Sequence, residues 1–185
     1  MRAVLGCAAA LAAWLTLAGC VAAGPIPPEA VRLNRLGAER LQAGDAEGAR
    51  AALLVSLEYH PCHAEALVNL ALLAYLAGQL ERAEARVAEA LACRPELVQA
   101  HNLGGAVARA QGRLEEAEAR YRDALALDPG ALDPRRNLVL LGLERGDLGA
   151  AREQLARLEA LAPEDAWLPR LREAVDAVHA PGAGR

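Results

Sequence analysis

The sequence predicts an all-α protein built as a row of four helix-turn-helix units closed by a further helix, and three observations carry that prediction. Ala, Leu, Glu and Arg dominate, Phe is absent and other aromatic residues are few, which is the profile of strong helix formers. Gly44, Gly78, Gly112 and Gly146 recur every 34 residues, and Pro61, Pro95, Pro129 and Pro163 keep the same interval. Two further columns agree in register: Ala49, Ala83, Ala117 and Ala151, and the larger Leu53, Val87, Tyr121 and Leu155.

The columns have a physical reason. Gly takes the left-handed conformation that closes one helix of each unit, and Pro disfavours helical geometry in the residue before it, ending the other. Small residues at the crossing, Gly37, Ala71 and Gly105 opposite Ala49, Ala83 and Ala117, let antiparallel helices approach while the larger column fills the space beside them. A 34-residue period of this content resembles the tetratricopeptide repeat over about residues 30 to 163. The resemblance implies a right-handed α-solenoid in which each unit covers its neighbour's apolar face.

Residues 1–19 come first. Arg2 precedes an uncharged run, AVLGCAAALAAWLTLAG, in the manner of an export signal. The run is shorter than the ~20 apolar residues of a membrane span, is interrupted by Gly6 and Gly19, and lacks a basic stop, which disfavours the alternative of an uncleaved anchor. The segment Leu17-Ala18-Gly19-Cys20 resembles the lipobox of bacterial lipoprotein signals. That resemblance implies cleavage before Cys20, lipidation of its sulfur, and a chain anchored to a membrane by acyl groups. Val21 follows the cysteine, which by the same resemblance favours the outer membrane, with the domain facing the periplasm.

Residues 20–29 form a Pro-rich tether of extended character, with Pro28 and Glu29 suited to a first helical turn. Four repeats follow at 30–63, 64–97, 98–131 and 132–165, with helices expected near 30–43, 46–59, 64–77, 80–93, 98–111, 114–127, 134–145 and 148–161. Asp133 and Pro134 read as an N-cap and first-turn pair. Trp167, Leu168, Leu171, Ala174, Val175 and Val178 lie on one stripe of a capping helix over 166–180, and 181–185 is a short tail.

By resemblance, the first helix of each unit lines a concave face. The residues placed there are Val68, Leu72, Tyr75 and Leu76, then Asn102 and Arg109, then Arg136, Asn137, Leu140 and Leu143. An apolar centre flanked by Arg and Asn suits an amphipathic helix or extended peptide, although Leu72, Leu76 and Leu140 also fit a role as packing between repeats. Arg136 and Asn137 resemble part of a carboxylate clamp, but the other repeats lack matching basic residues, so capture of a C-terminal carboxylate is not expected.

Several function classes are excluded. All 20 basic residues are Arg against 24 acidic ones, which leaves no footprint for nucleic acid. Beyond residue 19 there is no Lys or Thr and a single Ser, Ser56, in a column shared with Ala90 and Ala124. Runs such as LERAEARVAEA read as solvated ion-pair faces, and the glycines stand singly, without a phosphate loop. No catalytic residue, cofactor or metal ligand is assigned. His60, Cys62 and His63 at one inter-repeat turn, and Cys93 and His101 flanking the next, share a rim. An exported chain permits a Cys62–Cys93 disulfide. Unpaired structural thiols and a metal site are the alternatives, Cys93 sharing a column of expected apolar plugs with Tyr59, Leu127 and Leu161.

Lipobox, tether and helical repeats together resemble the small repeat lipoproteins of type IV and tight-adherence pilus and secretin assembly. This implies a lipid-anchored adaptor with a protein or peptide partner. A periplasmic scaffold in cytochrome maturation or peptidoglycan-enzyme recruitment is the alternative.

Overall fold

In the computed structural model, which describes residues 24–179, the described residues form nine α-helices and no strand. They are α1 (Pro28–Gln42), α2 (Ala46–Tyr59), α3 (Ala64–Leu76), α4 (Leu80–Cys93), α5 (Val98–Ala110), α6 (Leu114–Leu127), α7 (Leu132–Glu144), α8 (Leu148–Leu161) and α9 (Leu168–His179). The expected signal segment, Cys20, the first residues of the tether and the tail lie outside the described residues.

The turns follow the sequence columns atom by atom. Gly44, Gly78, Gly112 and Gly146 have φ of 78°, 70°, 76° and 71°, the left-handed region. Each sits in a Schellman pair of hydrogen bonds. At the first turn the Gly44 N–H donates to Leu41 O at 3.0 Å and the Asp45 N–H to Arg40 O at 2.9 Å. At the other boundary the residue before each proline is driven out of the helix: His60, Arg94, Asp128 and Ala162 have φ between −137° and −150°.

Helices pair as hairpins α1–α2, α3–α4, α5–α6 and α7–α8, and the hairpins stack in order, closed by α9. At three of the four crossings the columns are matched in volume, and at the fourth Val139 and Leu155 are buried in one cluster. A Cβ on Gly37 would lie 2.5 Å from Leu53 Cγ, and one on Gly105 would lie 2.5 Å from the Tyr121 ring. Where the partner is the smaller Val87, the crossing residue is Ala71. Leu53, Val87, Tyr121 and Leu155 are all buried, so the core is a strip between the two helices of each unit.

The two ends of the stack differ from its middle. Arg32 and Glu39 of α1 occupy the repeat positions where α3 buries Ala66 and Leu73 against the preceding hairpin. No described helix packs on that side of α1, and charge takes the place of apolar surface. At the other end Leu168, Leu171 and Val175 of α9 cover Val139, Leu155 and Leu158.

Several local expectations are corrected. Helix α7 starts at Leu132, not 134, and Asp133 does not cap it; its carboxylate pairs with Arg136 one turn on. Trp167 and Val178 leave the capping stripe and are 47% and 54% exposed, because α9 begins only at Leu168 and its outer end passes beyond α8. Tyr59, Leu127 and Leu161 are not apolar plugs, since their column points off the edge of the stack and all three are exposed. Helix α1 begins at Pro28, with Pro28 and Glu29 in its first turn as the sequence indicated, two residues before the coarse boundary at 30; the missing N–H of Pro28 costs nothing there. The tether is not wholly free: His60 Nε2 is 3.1 Å from Gly24 O, which lays residues 24–27 against the first repeat.

Candidate partner groove

The first helices form an inner layer. Helix α1 touches α3, α3 touches α5, α5 touches α7 and α7 touches α9, whereas α2, α4, α6 and α8 do not touch one another. A stack whose inner helices meet and whose outer helices splay is concave on the inner side, so α1, α3, α5 and α7 line the groove.

Two amide pairs cross this surface. Asn69 Nδ2 donates to Asn34 Oδ1 at 2.9 Å, joining α3 to α1, and Asn137 Nδ2 donates to Asn102 Oδ1 at 2.8 Å, joining α7 to α5. All four asparagines of the chain are in these pairs. Each pair spends one N–H and one carbonyl, so further donors and acceptors remain on partly exposed side chains. Sequence reading reached Asn102 and Asn137 and missed Asn34 and Asn69. The available signal was a doubled period: both recur 68 residues later as Asn102 and Asn137.

The other predicted groove residues divide into two kinds. Val68, Leu72 and Tyr75 are half-buried against the cluster of Val87, Leu103 and Val107, and Leu140 and Leu143 against that of Val139 and Leu155, so they serve packing as well as surface. Leu76 projects freely, 66% exposed. The two arginines are not free cations. Arg109 Nε donates to Glu144 Oε2 at 2.7 Å. Arg136 Nε donates to Asp165 Oδ2 at 3.1 Å, and its Nη1 pairs with Asp133. The Asp165 side chain is 1% exposed, and Arg136 together with the Trp167 N–H holds its carboxyl below the usual carboxylate range. Arg136 therefore fastens the capping segment to α7. With both guanidiniums neutralised, the groove offers amides and apolar side chains.

The rim between the first two repeats holds a second cluster. Cys62 and Cys93 form a disulfide with Cα atoms 5.4 Å apart, tying the α2–α3 turn to the end of α4. Beside it Arg94 reaches Glu65 Oε1 at 2.7 Å. Ser56 Oγ donates to Ala30 O at 2.8 Å and lies 2.8 Å from His63 Nδ1. A hydroxyl has one proton, so His63 must donate from Nδ1 to Ser56. His63 Nε2 is 3.7 Å from Glu65 Oε2. The order Ser, His, Glu imitates a hydrolytic triad, but Ser56 has no exposed surface and its proton is given to a backbone carbonyl. This cluster joins α1, α2 and α3. No group of three potential metal ligands exists among the described residues.

Burial pushes the His63 pKa below the ordinary histidine value, outweighing the opposite pull of Glu65. A group depressed in the folded state is protonated first in the unfolded chain. Its stabilisation is whole above the unfolded pKa of about 6.5 and is lost as pH falls through the folded pKa. Urea midpoints should therefore drop between pH 7 and pH 5 in the wild type, and less in His63→Gln. Equal drops in both proteins would place the pH dependence elsewhere.

Two tetratricopeptide repeat models match the chain, over residues 34–97 and 108–173, together most of its length. No curated protein matches it. Among solved structures the fold resembles Pseudomonas aeruginosa pilF, at 25% identity and a TM-score of 0.73, covering 81% of this chain and 67% of that one. The Cut9–Hcn1 hetero-tetramer of the APC/C gives 17% identity and a TM-score of 0.72, covering 79% of this chain and only 30% of that one. The first repeat domain of Spaghetti (RPAP3), bound to the HSP90 peptide SRMEEVD, gives 21% identity and a TM-score of 0.58, covering 64% and 94%.

Proposed function

Because the chain belongs to the tetratricopeptide-repeat family, we propose that it is a lipid-anchored adaptor of the bacterial cell envelope that holds a partner protein in its concave groove during assembly of a pilus or secretion machine. Repeat domains of this kind bind proteins or peptides, as the HSP90-peptide complex of Spaghetti illustrates. The observation that carries the groove is the commitment of every asparagine in the chain to the inner layer. Amides spaced along a concave surface exchange hydrogen bonds with the backbone of an extended segment, while Leu76 and its half-buried neighbours take apolar side chains. Support for the envelope role is of two kinds: the LAGC lipobox ahead of the repeats, and the likeness to pilF.

Leu76 is the residue to test, because Leu72 and Tyr75 are packed into the core and their charged variants would confound binding with folding. Tagged wild type and Leu76→Glu, extracted from envelopes with detergent, should differ in what they retain. A protein of an envelope-spanning assembly held by wild type should fall at least ~30-fold in the variant, the effect of a charge at an apolar contact worth about 2 kcal/mol. Unchanged retention would remove the groove from the binding site. Cys20→Ala should abolish acyl labelling, and continued labelling would refute the anchor.

A further inference from the structure

Away from the groove, a cleft of about 360 Å³ opens between the outer helices α6 and α8, lined by Arg122, Leu125, Pro129, Arg135, Leu138, Glu153, Gln154 and Arg157. Its floor is Arg135, 5% exposed, the one buried arginine among the described residues. Arg135 Nη2 donates to Pro129 O at 2.7 Å and Nη1 to Gln154 Oε1 at 3.2 Å, both neutral acceptors. Its Nε is buried with no hydrogen-bond partner, and no carboxylate of the described residues lies within ion-pair distance.

The surroundings oppose a cation there. Arg135 is the fourth residue of α7, in the first turn, where the helix dipole is positive. Arg122 and Arg157 stand at the cleft walls, and the one acidic wall residue, Glu153, is already engaged by Arg157 at 2.6 Å. An unpaired buried guanidinium is costly, and here the nearest charges repel it. The repeat register shows that the fold does not require one: the same position is Leu33 in the first repeat and Leu67 in the second, both buried apolar residues. His101 holds it in the third, bonding Pro95 O at 2.7 Å as Arg135 bonds Pro129 O.

We propose that this cleft is an oxyanion-binding site, in which the Arg135 guanidinium, through the Nη N–H groups not spent on Pro129 and Gln154 and with Arg122 and Arg157 on the walls, takes a carboxylate or phosphate group. Guanidinium forks match both anions. The site lies on the opposite side of α7 from Arg136, Asn137 and Leu140, so its occupant and a groove partner bind together without competing.

The test is thermal unfolding of the full chain in detergent, in sodium phosphate, sodium acetate and sodium chloride at matched ionic strength. Phosphate or acetate should raise the wild-type Tm by about 3 °C over chloride at concentrations well above Kd. A rise in phosphate alone identifies a phosphate site, and a rise in acetate a carboxylate site. Arg135→Leu restores the residue of the first two repeats and should fold, keeping only the general stabilisation that phosphate gives any folded protein. Equal wild-type Tm values in all three salts, or the same rise in Arg135→Leu, would overturn the proposal. Independently of any variant, the Arg135 Nε–H resonance should move saturably on titration with inorganic phosphate or with acetate; a resonance unmoved by both would overturn it as well.

Discussion

Tyr121→Ala is expected to lower the unfolding free energy by about 4 kcal/mol, read as a fall in the urea midpoint. Tyr121 has no exposed surface and its ring occupies the space left by the missing Cβ of Gly105. Truncation leaves a cavity between two helices whose backbones already touch, so collapse cannot fill it. The hydroxyl contributes little. It is buried without a partner, and burial pushes its pKa up to about 12. Tyr121→Phe should accordingly fall within about 1 kcal/mol of wild type, since nothing bonded is lost. Gly105→Ala alone should cost about 1 to 3 kcal/mol by overpacking. The double change Gly105→Ala with Tyr121→Val rebuilds the Ala71–Val87 pairing of the second repeat and should cost less than the two single changes added together. Strict additivity would show that the two columns are not coupled.

Reduction of the Cys62–Cys93 disulfide is expected to cost about 3.5 kcal/mol at 25 °C, from the chain entropy released when a loop spanning 31 residues is opened. The bond ties the α2–α3 turn to the end of α4, and in a stack stabilised by neighbours its loss should fall on the first two repeats. Hydrogen exchange in α1 to α4 should therefore rise more than in α5 to α9. A double Cys62→Ser, Cys93→Ser variant should match the reduced wild type and be insensitive to reductant. Identical urea midpoints for oxidised and reduced wild type would sink this account.

Much of the architecture was legible in the sequence because its determinants are local. A left-handed turn at Gly44 needs only Gly and the helix before it, and the extended geometry of His60 needs only Pro61. These constraints repeat every 34 residues, so four agreeing columns revealed the hairpins, their order and the packing at Gly105 and Tyr121. Six of the eight repeat helices start at the residue the sequence indicated, and α1 and α7 start two residues earlier. Asp133 has the chemistry of an N-cap, yet Arg136 one turn later takes its carboxylate, and α7 begins at Leu132 without a side-chain cap.

The candidate site was legible only in outline. Its inner-face residues follow from the repeat register, but what each is free to do depends on partners about one repeat or more away in sequence. Arg109 meets Glu144, Arg136 meets Asp165, and the asparagines meet each other, because stacking sets equivalent positions of adjacent repeats side by side. Arg135 and Arg136 are neighbours in the chain and alike in composition; one is neutralised by a shielded aspartate while the other is buried with an unpartnered Nε. By itself the sequence determined the helices, the turns and the repeat, since backbone preference and side-chain volume act over a few residues. Only the tertiary structure decided which charges cancel, which amides pair and which guanidinium is left over, since those outcomes depend on competition among side chains that the stack alone brings within reach.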